Sequence, residues 1–210
     1  MTNNIDPNII HHLKKDEKLS LLIDHCMLEV HKSPIRVFDD LLRSIISQQL
    51  STTAAATIYG RFVESLEDST PIHLQILDMD VEKLRSLGLS YQKAGYVKNV
   101  CHHFLENKLF ETDWTVLTDE EIIMDLTQIK GVGKWTVEMI LMFSLYREDV
   151  LPLDDLIIRN HIIKLYDVQS SGKQLIHDLT LIAEQWRPYR TYACRYLWAA
   201  KDSKYFKKEK

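Results

Sequence analysis

Cysteine is scarce in this 210-residue chain, and its three copies, Cys26, Cys101 and Cys194, are scattered and odd in number. That excludes a disulfide framework, and three thiolates fall short of the four that hold an iron–sulfur cluster. The Cys/His spacing of a zinc motif is missing too. The adjacent pairs His11-His12 and His102-His103 point to different faces of a helix, which suits chelation poorly. They read as surface histidines, and no metal site is expected. No apolar run approaches the roughly 20 residues of a membrane span. The polar N-terminus "MTNNIDPNIIHHLKKDEK" lacks the apolar stretch of a signal peptide. No membrane partner is expected, and the location follows as cytoplasmic, or nuclear in a eukaryotic source.

Positive charge is also short, since the net charge is −4. Its distribution is uneven. Residues 1–127 hold 12 Lys/Arg against 20 Asp/Glu, and residues 128–210 hold 14 against 10. An acidic half and a basic half suggest one face that meets phosphate, although such an imbalance also arises by chance. With 45% hydrophobic and 27% charged residues the composition is that of an ordinary globular protein with room for a proper core. Low-complexity segments, Pro/Gly linkers and solenoid repeats are absent.

Strand-like alternation is nearly absent, and helical periodicity dominates. "FDDLLRSIISQQ" sets Phe38, Leu41, Leu42, Ile45 and Ile46 on one stripe. Ser51 caps the next helix, and "DVEKLRSLGLS" ends a short one at Gly88, in the left-handed conformation. Ser90 opens "YQKAGYVKNVCHHFLEN", with Ala94, Val97, Cys101 and Phe104 inward. Thr118 and Glu121 form a capping box. Asp154 or Asp155 opens "LIIRNHIIKLY", and two further helices flank Pro188. The fold class is all-α. The first helices are expected to return beside the last, giving two helical lobes around a cleft within a single domain, residues 1–210.

Against that background "LTQIKGVGKWTVEMILMFSL" (126–145) stands out, because it spends two of six glycines around one valine. A helix ends near Ile129, the chain turns through Gly131-Val132-Gly133, and a second helix starts at once. This is a helix-hairpin-helix signature. Its glycines admit a partner's close approach, and the new helix offers unpaired amides at the positive end of its dipole. A phosphate oxygen fits there without any base identity. A tight helix–helix turn packed for its own sake is the plainer alternative. After "REDVLPL" come Asp154 and Asp155, which an N-cap and a first-turn carboxylate would also explain.

Five blocks, "SIISQQLSTTAAATIYGRF", "LRSLGLSYQKAGYVKNV", "IKGVGKWTVEMILMFSL", "DVLPLDDLIIR" and "WRPYRTYACRYLW", together resemble the DNA-3-methyladenine glycosylase II family of helix-hairpin-helix DNA glycosylases. The resemblance runs from about Phe38 to Trp198. It lacks the N-terminal β-rich domain of the larger bacterial members. It implies excision of alkylated purines such as 3-methyladenine and 7-methylguanine from double-stranded DNA, in base excision repair, by a monomer. By spacing from the tryptophan, Asp155 takes the catalytic position and Asp154 the helix cap; in other branches the aligned residue is Asp154.

The remaining site residues follow from the same resemblance. The branches that also cut the strand carry a Schiff-base lysine where this chain has Trp135, so no lyase step is expected. Lys134 lies one residue earlier, about 100° around the helix. Trp135 and Trp198 are expected to wall the base pocket, with Met139 where some members have tyrosine; a core aromatic is the plainer reading of Trp135. Gly131, Gly133, Lys134 and Thr136 are expected at the DNA. Gln49 takes the wedge position that the large bacterial members fill with leucine, or else Gln48-Gln49 only end their helix. No cofactor is implied, apart from the monovalent cation that family members hold on hairpin carbonyls. A glycosylase for another damaged or mismatched base, a non-catalytic DNA-binding protein and a helical scaffold are the alternatives.

Overall fold

The computed structural model describes residues 5–202 and 205–207, so residues 1–4 of the polar N-terminal stretch lie outside it. Among the described residues there are twelve α-helices and no strand. In chain order they are α1 (Pro7–Leu13), α2 (Glu17–His25), α3 (Val37–Ser47) and α4 (Thr52–Glu64), then α5 (Ile72–Asp78), α6 (Val81–Ser86), α7 (Tyr91–Glu106) and α8 (Asp119–Leu126). The last four are α9 (Lys134–Phe143), α10 (Leu156–Tyr166), α11 (Gly172–Glu184) and α12 (Arg190–Asp202). The all-α class holds, and no N-terminal β domain is present among the described residues. Helices α1, α2 and α5 lie where the sequence reading placed none.

The chain divides into two compact units. The middle unit is Pro34–Ile140; the outer unit combines the stretch up to Ser33 with that from Leu141 onward. In the middle unit α3 lies against α4 and α7, and α7 also meets α5 and α6. Leu41, Leu42, Ile45 and Ile46 of α3 are buried, as are Ala94, Val97, Cys101 and Phe104 of α7. Burial drives the Cys101 thiol up to about 12, which keeps it protonated and inert. Ser51, Ser90 and the Thr118–Glu121 capping box start α4, α7 and α8 as anticipated. Gly88 follows α6 at φ +108.

In the outer unit α12 packs on α10 and α2, and α10 also meets α11. Asp16 is one of its buried carboxylates. Asp16 caps α2 through Oδ1, which accepts the amides of Lys18 at 3.0 Å and Leu19 at 3.1 Å. Oδ2 accepts Trp186 Nε1–H at 2.9 Å and the Tyr166 hydroxyl. Four donors offset the cost of burying that charge. Burial, reinforced by the bond to Asp16, holds the Tyr166 hydroxyl well above the ordinary tyrosine range.

The histidine pairs need a correction. His11 and His102 are exposed, but His12 and His103 are half-buried. His103 Nε2 lies 3.2 Å from Asp125 Oδ1. Neighbouring helical residues face different ways, and the inward member of each pair is drawn into packing.

Candidate active site and nucleic-acid interface

In the middle unit the hairpin begins three residues early, because α8 ends at Leu126 rather than near Ile129. Ile129 and Val132 are both buried and pin the turn to the unit, with Val132 N–H donating to Ile129 O at 2.9 Å. Gly131 sits at φ +107, and a Cβ there would stand 2.2 Å from Tyr96 Cγ. Gly133 is different. It is exposed, has no positive φ, and a Cβ would meet nothing within 4 Å. Its carbonyl accepts Val137 N–H at 3.2 Å as α9 starts. Helix geometry leaves the first-turn amides of α9 without an intrahelical acceptor.

Along α9 the expected residues part company. Trp135 is 39% exposed, and Met139, one turn on, is half-buried. Lys134 Nζ reaches Glu138 Oε1 at 3.4 Å, an i,i+4 pair. Thr136, named as a DNA contact, is only 3% exposed. So buried, its side chain offers a phosphate almost no surface. At the end of α3, Gln48 is the C-cap and Gln49 lies beyond it, exposed and at φ +58. An aromatic hollow of about 490 Å³ in the same unit, lined among others by Phe38, His73, Phe110 and Trp114, includes none of these residues. It is not part of the site.

The acidic pair belongs to the outer unit, and here the expected assignment of the cap is wrong. Asp155, not Asp154, is the N-cap of α10. A tight turn, with Asp155 N–H donating to Pro152 O at 3.0 Å, swings the Asp155 side chain back over the helix start and leaves Asp154 exposed. Asp155 is 8% exposed. Its Oδ1 accepts Ile157 N–H at 2.9 Å, Ile158 N–H at 3.0 Å and Trp198 Nε1–H at 3.0 Å. Three donors on one oxygen fix the carboxylate plane.

Behind Trp198 lies a residue that the sequence reading missed. Phe143 stacks on the indole with centroids 5.5 Å apart and planes 20° apart, and the Arg195 guanidinium lies 5.2 Å from the Phe143 centroid. Phe143 reads in sequence as one more apolar residue of the α9 run, so nothing local marks it. The loop leading to Asp155 is stitched to the start of α12. Asp149 takes Arg190 Nε at 2.7 Å and Arg187 Nη1 at 2.6 Å, while Thr191 Oγ1 accepts Val150 N–H at 3.0 Å and donates to Arg147 O at 2.7 Å. The helix that carries Trp198 therefore also sets the loop that carries Asp155.

Comparison with known proteins shows the family. Residues 42–185 match the model of the HhH-GPD superfamily of base excision DNA repair proteins. DNA-3-methyladenine glycosylase 1 of Schizosaccharomyces pombe is 39% identical over 166 residues, covering 77% of this chain and 71% of that protein. A DNA-3-methyladenine glycosidase of Bacillus halodurans has a solved structure that matches with TM-score 0.79 at 33% identity, over 99% of this chain and 94% of that one. The structure of the Schizosaccharomyces pombe 3-methyladenine DNA glycosylase bound to abasic DNA matches with TM-score 0.76 at 34% identity, over 92% and 97% of the two chains. Fold and hairpin are those of the helix-hairpin-helix base excision repair proteins. Within that superfamily the chain belongs to the 3-methyladenine DNA glycosylase family.

Proposed function

We propose that this protein is a monofunctional DNA glycosylase of the 3-methyladenine glycosylase II type, releasing alkylated purines from double-stranded DNA. The observation that carries the reading is Asp155, a buried carboxylate held in one orientation by three donors. Alkylation makes 3-methyladenine and 7-methylguanine cationic and therefore good leaving groups. The bond from C1′ to the base nitrogen breaks with its electron pair going to the base, and positive charge builds on the sugar. The Asp155 anion stabilises that oxocarbenium-like charge and orients the water whose oxygen bonds to C1′, with loss of a proton.

Each unit has its own part in this reading. The hairpin amides after Gly133 take a phosphate, with Lys134 beside them. Trp135 stacks on the electron-poor base, worth roughly 0.5–2 kcal/mol, beside Met139 in the middle unit, while Trp198 acts in the outer unit, where it holds Asp155. Gln49 fills the gap left by the flipped nucleotide and hydrogen-bonds the orphaned partner base. The protein acts as a monomer without a cofactor. A duplex substrate places it with the genome, at the nucleoid of a prokaryote or in a nucleus.

The test is to incubate the protein with methylated duplex DNA and identify the released bases by chromatography. Release of 3-methyladenine and 7-methylguanine is the expected result; no release defeats the reading. Run without alkali, the product strand should be intact and abasic, and borohydride should trap no adduct, because Trp135 cannot form an imine. A trapped adduct that disappears in Lys134→Ala would overturn the monofunctional assignment. Trp198→Phe should keep the stack on Phe143 but lose the bond to Asp155. Its kcat should fall about tenfold with KM little changed, the ~1.5 kcal/mol of one hydrogen bond to a charged group.

A further inference from the structure

The turn after α3 is held in an unfavourable backbone shape by residues that the mechanism above does not use. Gln49 adopts φ +58, a left-handed conformation costing a residue with a side chain roughly 1–2 kcal/mol. Such conformations persist where the surroundings over-determine them. Here the surroundings are a lysine. Lys93 Nζ donates to Ile46 O at 2.8 Å and to Gln48 O at 2.6 Å, closing the C-terminal end of α3 where the helix dipole favours a cation. Burial lowers the tendency of this amine to stay charged, so its two carbonyl partners matter. Gln48 then reaches the hairpin, its Nε2 donating to Gly131 O at 3.3 Å.

The same helix also holds the hairpin directly. One turn beyond Lys93, Tyr96 lies against Gly131, and one turn further Asn99 Nδ2 donates to Lys130 O at 3.1 Å. Lys93, Tyr96 and Asn99 fall at i, i+3 and i+6, one stripe of α7. A single rigid helix face thus sets both the Gln49 turn and the glycine hairpin, all within the middle unit.

We propose that Lys93 is a positioning residue for base extrusion: it clamps the Ile46 and Gln48 carbonyls and so presents Gln49 to the duplex at a fixed offset from the hairpin. The proposal rests on the glycosylase reading and on Gln49 as the residue that fills the gap. Without the clamp the turn relaxes out of the left-handed conformation, and Gln49 no longer enters the helix where the hairpin grips the backbone. A lysine that merely caps α3 would affect stability alone and be blind to whether the damaged base is paired.

The experiment measures release of one alkylated base from two substrates, a fully paired duplex and a bulge in which the damaged nucleotide is unpaired and needs little unstacking. Lys93→Met keeps the apolar stem and removes the clamp. Release from the duplex should fall at least about tenfold, the cost of one charge-assisted hydrogen bond, while release from the bulge changes less than about twofold. Gln49→Ala should show the same dependence on pairing, and the double variant should fall no further than Gln49→Ala, since Lys93 acts through Gln49. Equal losses on both substrates, or additive losses in the double variant, overturn the proposal. If Lys93→Met does not fold, Lys93→Gln, which removes the charge but keeps an N–H donor on a shorter stem, carries the same comparison. Failure of the unaltered protein to release base from either substrate overturns the glycosylase reading and the proposal with it.

Discussion

Asp155→Asn is expected to fold, to bind DNA as tightly as the unaltered protein, and to release base at least about a hundredfold more slowly. Folding should survive because asparagine caps helices as well as aspartate does. Its side-chain oxygen still accepts the Ile157 and Ile158 amides and the Trp198 indole. The negative charge is lost, with one carboxylate oxygen replaced by an NH2 donor, and on the proposed mechanism that charge faces the developing cation. A hundredfold loss corresponds to about 2.7 kcal/mol of transition-state stabilisation, in the range for removing one electrostatic group from such a site. Asp154→Asn, at an exposed position, should change turnover little. Single-turnover base release on both variants checks the pair. Normal turnover in Asp155→Asn with loss in Asp154→Asn would falsify the assignment.

The two hairpin glycines are expected to fail in different ways when each is changed to alanine. At Gly131 the new Cβ would meet the Tyr96 ring at 2.2–2.6 Å on a backbone at φ +107. The atoms in the way are Cγ, Cδ1 and Cδ2, close to the root of the ring, so the backbone has to move. Overpacking and an unfavourable φ together should cost roughly 3 kcal/mol, read as a lower denaturant midpoint with an unchanged slope. Gly133→Ala meets nothing within 4 Å and should unfold at the same midpoint as the unaltered chain. If glycine is there so that a phosphate can come close, Gly133→Ala should weaken binding to damaged and undamaged duplexes alike, with affinity falling steeply with salt. Unchanged affinity in Gly133→Ala, and again in Gly133→Asp, would remove the hairpin from the interface.

How much of this was legible in the sequence depends on how far apart the interacting residues are. The all-α class, the stripe of α3, the caps at Ser51 and Ser90, the capping box at Thr118 and the turn through Gly131 and Gly133 are written in consecutive residues. Helix periodicity and capping act within one or two turns, so a local reading captures them. The hairpin and the acidic pair were visible for the same reason, as short unusual strings. Which of Asp154 and Asp155 turns onto α10 was not visible, because both can cap and the choice is made by the turn from Pro152.

Tertiary structure alone decided the rest. It joined Asp155 to Trp198, 43 residues away, and put Phe143 behind that indole. It joined Lys93 to Gln48 across 45 residues and Gln48 to Gly131 across 83. It also separated two glycines that look alike in sequence, one packed under Tyr96 and one open on the surface. Sequence by itself determined helices such as α3, α4, α7 and α8 and where the capped ones start, since those energies are local. Which side chains meet was determined by how the helices pack, because a hydrogen bond between distant residues leaves no pattern in either neighbourhood.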